Sequence, residues 1–464
     1  MRKVLAGLLV FALFFGAGLV KAEYSEKFEA TYKIMENGDA NITFITTWLA
    51  PEEDINKTKE LILNMSVENA TNAMLFQENK KLEQAGMYLI NGTLELKNYD
   101  SEGPLIKILH GKFIGLAKYY SYDDTWELDI DVLRLLDLSY AYQNGAPQED
   151  LTLDSYFTIE LPEGAKDITV PESLERAANG NEVKLESTVE GTTVNIHTFI
   201  KIKANTSIDE LASLLQDYTL LPITYKGFKG EESYETWNGE RIVKLGVHKD
   251  YVELNTTDRL MSPPTYLIQA KMQILQMGLE NATELLKQQS LYQFQIQGVT
   301  VKDGNLTITG IRGNEPLEIS AHWILQNFTK QVDGVYEYPY APNFGINPAT
   351  LGRRFTYELT QSSLVEITLV DGGEFVELPE NISKEVNGNR LELKVYKEGN
   401  KVILNNTIFI RYGATREDIT KLVEDVPTEV FVKYKLSEEK TGVCGPAAIV
   451  ALALVPLLIL RRRY

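Results

Sequence analysis

Cysteine is almost absent from this chain. The one thiol, Cys444, falls in the last twenty-four residues, so no intramolecular disulfide can form and the body has no thiol nucleophile. Histidine is nearly as scarce: His110, His197, His248 and His322 are the full set, and none stands in an H-E-x-x-H zinc spacing. No G-x-S-x-G elbow, Walker phosphate loop or G-x-G-x-x-G turn occurs either, which removes the best-marked routes to acyl transfer and nucleotide chemistry. Basic residues are outnumbered 46 to 65, for a net charge of −19, and nucleic acid is excluded as a partner because its phosphates need a basic face. No catalytic, cofactor-binding or metal-ligating residue is therefore assigned, and the reading leans away from an enzyme.

Long apolar runs mark the two ends. Arg2 and Lys3 precede an apolar stretch from Val4 to Val20, and Val20-Lys21-Ala22 suits a cut after Ala22, so residues 1–22 read as a secretory signal peptide. At the other end a fourteen-residue run, Ala447 to Leu460, is followed by Arg461, Arg462 and Arg463. A spanning helix needs about 20 residues, and the arginines would hold this end in the cytoplasm. Short apolar run, basic stop and the small-residue turn at Cys444, Gly445 and Pro446 together read as a sorting and processing signal. A short tilted helix that keeps its tail is the alternative.

The order T-G-V-C-G-P, apolar run, R-R-R resembles the CGP-CTERM sorting domain of hyperthermophilic archaea of the Thermococcus and Pyrococcus type. The resemblance covers only about the final twenty-four residues. It implies anchoring at the outer face of the cell membrane through a lipid on Cys444, and it implies no activity for the body. Many such tails follow a long Thr-rich spacer; here only Ser437 to Lys440 intervene, which places the folded part close to the membrane.

Asparagine usage points to export independently. Twelve N-x-S/T triplets occur, several times the number that chance gives, and they suggest a glycosylated surface. The candidate acceptors are Asn41, Asn56, Asn91, Asn205, Asn255, Asn305, Asn327, Asn381 and Asn405, with Asn64 beside them. Asn69 and Asn281 fall in the middle of an apolar helix face and are expected to be buried and unmodified.

Sliding the chain against itself shows a tandem duplication. At an offset of 212, Pro51 meets Pro263, Lys59 meets Lys271, and Glu68-Asn69-Ala70-Thr71 meets Glu280-Asn281-Ala282-Thr283; at 208, Asn179-Gly180-Asn181 meets Asn387-Gly388-Asn389. The expected class is α+β, a repeated unit of about 210 residues with antiparallel sheets, one longer helix and a short C-terminal helix. Residues 23–225 form the first unit, divided into an α+β part (23–150) and a β-rich part (151–225). Residues 226–436 form the second, divided into 226–360 and 361–436, and 437–464 are linker and anchor tail. In each unit a helix begins after Pro51 or Pro263, and Ile55, Ile62, Met65, Ala73 and Phe76 would share its buried face. Short helices start at Ser207 and Thr415, the first with a capping box and the second with a weaker one.

Within the body the least ordinary features are aromatic. Tyr119, Tyr120, Tyr122 and Trp126, with Tyr336, Tyr338 and Tyr340 in the second copy, lie where the copies diverge and are candidate binding-loop residues for sugars or an envelope protein. His110 and His322 match by descent from one strand position. Asp129 and Asp131, near Asp123 and Asp124, would share one side of a strand and read as a solvated face. The expectation is an exported, surface-anchored, non-enzymatic binding or structural module. Its partners would be the membrane, through the tail or a lipid on Cys444, and envelope proteins or glycans; the alternative is an extracellular hydrolase of glycans or peptides.

Overall fold

The computed structural model describes residues 23–437 apart from 85–86, 136–137, 139–141, 143–145, 217, 314 and 333. Ala22, Cys444, Gly445 and Pro446 lie outside the described residues. The chain divides into two compact units, Met1–Ser233 and Tyr234–Tyr464. Strands take up 49% and helices 21%, so the expected α+β class is corrected to a β-rich fold with four sheets, two of them eight-stranded.

In the first unit the elements follow as β1 (Glu23–Ile34), β2 (Ala40–Ala50), α1 (Glu52–Met65), α2 (Val67–Gln84), β3 (Leu89–Lys97), β4 (Leu105–Phe113), β5 (Ala117–Tyr120) and β6 (Thr125–Leu128). Then come β7 (Asp150–Glu160), β8 (Lys166–Thr169), β9 (Leu174–Ala178), β10 (Asn181–Glu190), β11 (Thr193–Ile202), α3 (Ile208–Leu214) and β12 (Ile223–Lys226). The large sheet has the order β3-β4-β2-β1-β7-β11-β10-β9, and the small one β5-β6-β12-β8. The alternating stretches assigned to a separate β-rich part thus join the opening strands in one continuous sheet. Nor is that sheet wholly antiparallel. At its centre β1 and β7 run parallel, with Glu23 beside Asp150 and Lys33 beside Glu160, a pairing that needs a long crossover rather than a hairpin.

The second unit runs β13 (Glu235–Val247), β14 (Val252–Ser262), α4 (Pro264–Met277), α5 (Leu279–Ile296), β15 (Thr300–Thr309), β16 (Leu317–Gln326), β17 (Lys330–Val332) and β18 (Val335–Tyr340). It continues through β19 (Tyr357–Leu369), β20 (Gly373–Glu377), β21 (Ile382–Val386), β22 (Asn389–Glu398), β23 (Lys401–Ile410), α6 (Arg416–Val423) and β24 (Val430–Leu436). Its sheets have the orders β15-β16-β14-β13-β19-β23-β22-β21 and β17-β18-β24-β20. Element for element this is the strand order of the first unit, and β13 and β19 form the parallel pair.

The single longer helix per unit is corrected to two. Ser66, at φ 73°, ends α1, and Gly278, at φ 86°, stands at the matching place between α4 and α5. The break turns the buried face. Ala70 and Ala282 go inside at 4% and 5% exposure, whereas Phe76, expected inside, is 55% exposed. Asn69 and Asn281, expected to be buried, are exposed in the first turn after the break, where their Nδ2 atoms donate to the carbonyls of Met65 and Met277.

Both helix pairs are pinned to the sheet by a buried lysine. Lys59 Nζ donates to the carbonyls of Ser101 and Gly103 at 2.7 and 2.6 Å, and Lys271 Nζ to those of Gly313 and Glu315. These carbonyls belong to the turns between β3 and β4 and between β15 and β16, and they satisfy an ammonium that is otherwise buried. Capping boxes start both short helices, Ser207 with Glu210 and Thr415 with Asp418, so the second is complete rather than weak.

Each unit has its apolar core in separate clusters. Under the helix pair, Ile55, Ile62 and Ala70 pack on Leu94, Leu105 and Leu109; under the small sheet, Trp126, Leu128 and Tyr225 belong with Phe157, Ile159 and Val194. In the second unit Leu267, Ala270 and Ala282 form the first kind of cluster and Tyr338, Val432 and Tyr434 the second.

Candidate functional site

Bordering these clusters, the large sheet of the second unit carries a polar row. On β13, Arg241 has the same side-chain parity as the buried Val243, Leu245 and Val247, so alternation points it inward. Asp258 of β14 lies directly opposite it, Ser363 of β19 on its other side, and Asn406 of β23 beyond that. Four adjacent strands thus set Asp258, Arg241, Ser363 and Asn406 side by side. Arg241 Nε is 3.2 Å from Asp258 Oδ1, with the side chains 16% and 13% exposed. Burial pushes the Asp258 carboxyl above the ordinary carboxylate range, and Arg241 pulls it back. Asn406 is fully buried and donates to the carbonyl of Pro342 at 2.8 Å. Tyr340, its phenol pushed up by burial, hydrogen-bonds with Ser363 and Asn406.

Beside this row α5 leaves a cavity of about 50 Å³, lined by Arg241, Thr256, Asp258, Ser290, Gln293 and Trp323 among others. Space of that size holds a few waters and is far below the roughly 300 Å³ at which small-molecule pockets begin. The arrangement can fix a charge pair and bound water; a sugar ring does not fit.

In the first unit the matching row reads Thr46, Phe28, Ser155 and Thr198. Phe28 replaces Arg241, and Phe44 stands where Thr256 does. Aromatic rings close the space: Phe28 lies 5.6 Å from Phe44 and 5.8 Å from Phe157. A buried charge pair is present there too, but another chain segment supplies it. Arg134 lies 2.6 Å from Glu26, both under 10% exposed, with its guanidinium 4.7 Å above the Phe28 ring. Tyr24 donates to Glu26 at 2.7 Å; burial first, then the Glu26 charge, raises its phenol well above its usual value.

The aromatic candidates are mostly core. Tyr119, Tyr120, Trp126 and Tyr338 are 5%, 2%, 1% and 5% exposed, and Tyr336 and Tyr340 are half-buried. Trp126 donates to the carbonyl of Phe228 and stacks on Tyr225. The binding-loop expectation is corrected for the four buried residues, because Tyr alternates into the β-core as readily as it decorates a loop. Tyr122 alone is open, at 52%.

The histidines lie apart and each has a local partner. His110 bonds Thr43, His322 bonds Asn255, His197 bonds Asp154 while stacking on Tyr156, and His248 lies 3.4 Å from Asp371 while stacking on Tyr251. Asp129 and Asp131 follow the end of β6 rather than sharing a strand face, and Asp131 accepts from the backbone of Leu135. Among the described residues no group of three or more His, Cys, Asp or Glu side chains is placed to hold a metal ion.

The sequon asparagines behave differently. Asn41, Asn56, Asn64, Asn69, Asn91, Asn205, Asn281, Asn305, Asn327, Asn381 and Asn405 are exposed, and Asn255 is half-buried against His322. Sequence reasoning did not single out Arg241 and Asp258. Their signal is charge at core parity, Arg241 in step with Val243 and Leu245, and Asp258 in step with Val252 and Leu254.

No family model matches the chain, and no curated protein does. Among solved structures it is similar to a "putative protease" from Parabacteroides distasonis, at 8% identity over 90% of this chain and 99% of that one, with a TM-score of 0.20. A score that low carries no argument about fold or activity.

Proposed function

We propose that this chain is an exported protein held at the outer face of the cell membrane, where it serves the envelope as a non-catalytic binding or structural module. The observation that carries the proposal is the placement of the sequons: eleven of the twelve asparagines are exposed, among them four of the five that stand on strands, Asn41, Asn91, Asn305 and Asn405. Exposure is what a glycan needs, and a glycosylated surface belongs to an exported protein. The cavity beside Arg241 is too small for a sugar, and this reading places a glycan or peptide partner on an outer surface. One such place is the exposed Tyr156, stacked on His197 with Lys27 5.3 Å above its ring.

Peptide mass mapping of the protein from a native membrane fraction tests this directly. Glycan mass is expected at several exposed sequons and not at Asn255, whose amide donates to Glu253 and whose carbonyl bonds His322. Cys444→Ser should release the chain from the membrane. Bare asparagines throughout, with a Cys444→Ser chain that stays bound with its tail intact, would defeat the proposal. Release of sugars or peptides from envelope material by the purified chain would replace it with the hydrolase reading.

A further inference from the structure

We propose that the outer flank of α4 in the second unit is a lipid-facing surface that rests on the membrane; this builds on the tethered reading above. α4 is apolar on two sides. Leu267 and Ala270 are buried on the sheet. Ile268, Met272 and Leu275, at the i, i+4, i+7 spacing of one stripe, are 57%, 52% and 48% exposed. Met277 and Leu279, on either side of the break at Gly278, are open as well. A contiguous stripe of large apolar side chains in water marks an interaction surface, unlike single exposed residues.

The first unit shows that the fold does not require this stripe. α1 packs on its own sheet through Ile55 and Ile62, yet Asn56, which heads a sequon, and Glu60 occupy the places of Ile268 and Met272, leaving exposed Leu63 as the one apolar counterpart, at the place of Leu275. α1 opens with Glu52, Glu53 and Asp54, whereas α4 has no acidic residue among its 14, in a chain of net charge −19. An apolar face flanked by uncharged glutamines and cleared of acids suits a bilayer surface, whose headgroups commonly carry negative charge.

The tether identifies the occupant. Ten residues, Ser437 to Pro446, separate the end of β24 from the apolar run that begins at Ala447. Fully extended they span at most about 35 Å, against a width of about 45 Å for a compact unit of this size. A lipid on Cys444 would shorten the tether further. The tether holds the end of β24 within about 35 Å of the apolar run, and a second unit that lies on its apolar flank takes that flank out of water.

The test uses the full chain, anchored as the native membrane fraction yields it and reconstituted in vesicles of mixed phosphatidylcholine and phosphatidylglycerol. A fluorescent amino acid placed at Met272 is compared with one placed at Glu60, each in a chain that keeps Cys444 and its anchor. Flotation establishes that the chain is bound, and lipids brominated in the acyl region then act as quenchers. The label at 272 should be quenched at least about twofold more strongly than the label at 60. Equal quenching in a chain that floats overturns the lipid-facing flank and leaves the tether intact; failure to float overturns both. Shielding of the 272 label without vesicles, growing with protein concentration, would show a second copy on the stripe and also overturns the inference.

Discussion

Arg241 and Phe28 occupy one position in two copies of a strand order, and the exchange shows how much a single residue decides. With Phe28 the space beside the sheet closes on rings; with Arg241 it needs Asp258, a row of polar partners and room for water. Removing one member of a buried pair strands the other. Arg241→Met is expected to cost about 3 kcal/mol at neutral pH, because the buried Asp258 must then bear its charge without a partner or take up a proton. The folded Asp258 carboxyl already titrates above its unfolded value. Its contribution to stability is therefore lost as pH rises through that window, and losing Arg241 pushes the folded value higher still. Thermal unfolding against pH should show the variant closest to the parent near pH 4, about the carboxylate's unfolded value, and furthest from it near pH 7. Pairing Arg241→Phe with Asp258→Thr, the first unit's own residues, should recover most of the loss. A double variant as unstable as the single one would mean that the ion pair is not the issue. The pair is hidden in the sequence because a charge within an alternating strand ordinarily marks the solvent side; only counting parity from Val243 and Val252 puts it inside.

Among the elements, the helix pairs were legible in kind but not in number. Apolar spacing from Ile55 to Phe76 continues across Ser66 without a gap in period, so pattern alone gives one helix. What divides it is backbone conformation. Ser66 adopts φ 73° and ψ 144°, a region that is comfortable for glycine and strained for serine, and the second copy has Gly278 there. Ser66→Gly should therefore stabilise the first unit by about 1 kcal/mol, after a few tenths for the lost hydroxyl contact with Asn69. Gly278→Ser should destabilise the second by a similar amount. Denaturant midpoints with unchanged slopes would check both, and a loss on Ser66→Gly would show that the hydroxyl outweighs the strain. The strands themselves were largely legible from their alternation, and so were the turns at Asn179-Gly180 and Asn387-Gly388. Their partners were not, because a parallel neighbour 127 residues away, as Asp150 is from Glu23, leaves no mark in local periodicity.

At the scale of the molecule, each apolar core cluster among the described residues draws its members from one unit alone. Cooperative unfolding should therefore proceed by unit, with two transitions in a calorimetric scan, of which Arg241→Met lowers one and leaves the other in place. A single transition that moves as a whole would count against this. The central parallel pair has a further consequence, for synthesis. A chain threaded outward from its N-terminus can form β1 to β4 early, but β1 keeps one unpaired edge until Asp150 to Glu160 has emerged. Closure of that long loop is a slow kind of step, and an open strand edge is prone to pairing with a neighbouring chain in the meantime. The first unit can complete its sheet before β13 has begun to appear, and the same wait then recurs once, for β19, while the tail is still to follow. The parallel pair thus sets the order of assembly: two successive closures, each exposing one edge at a time.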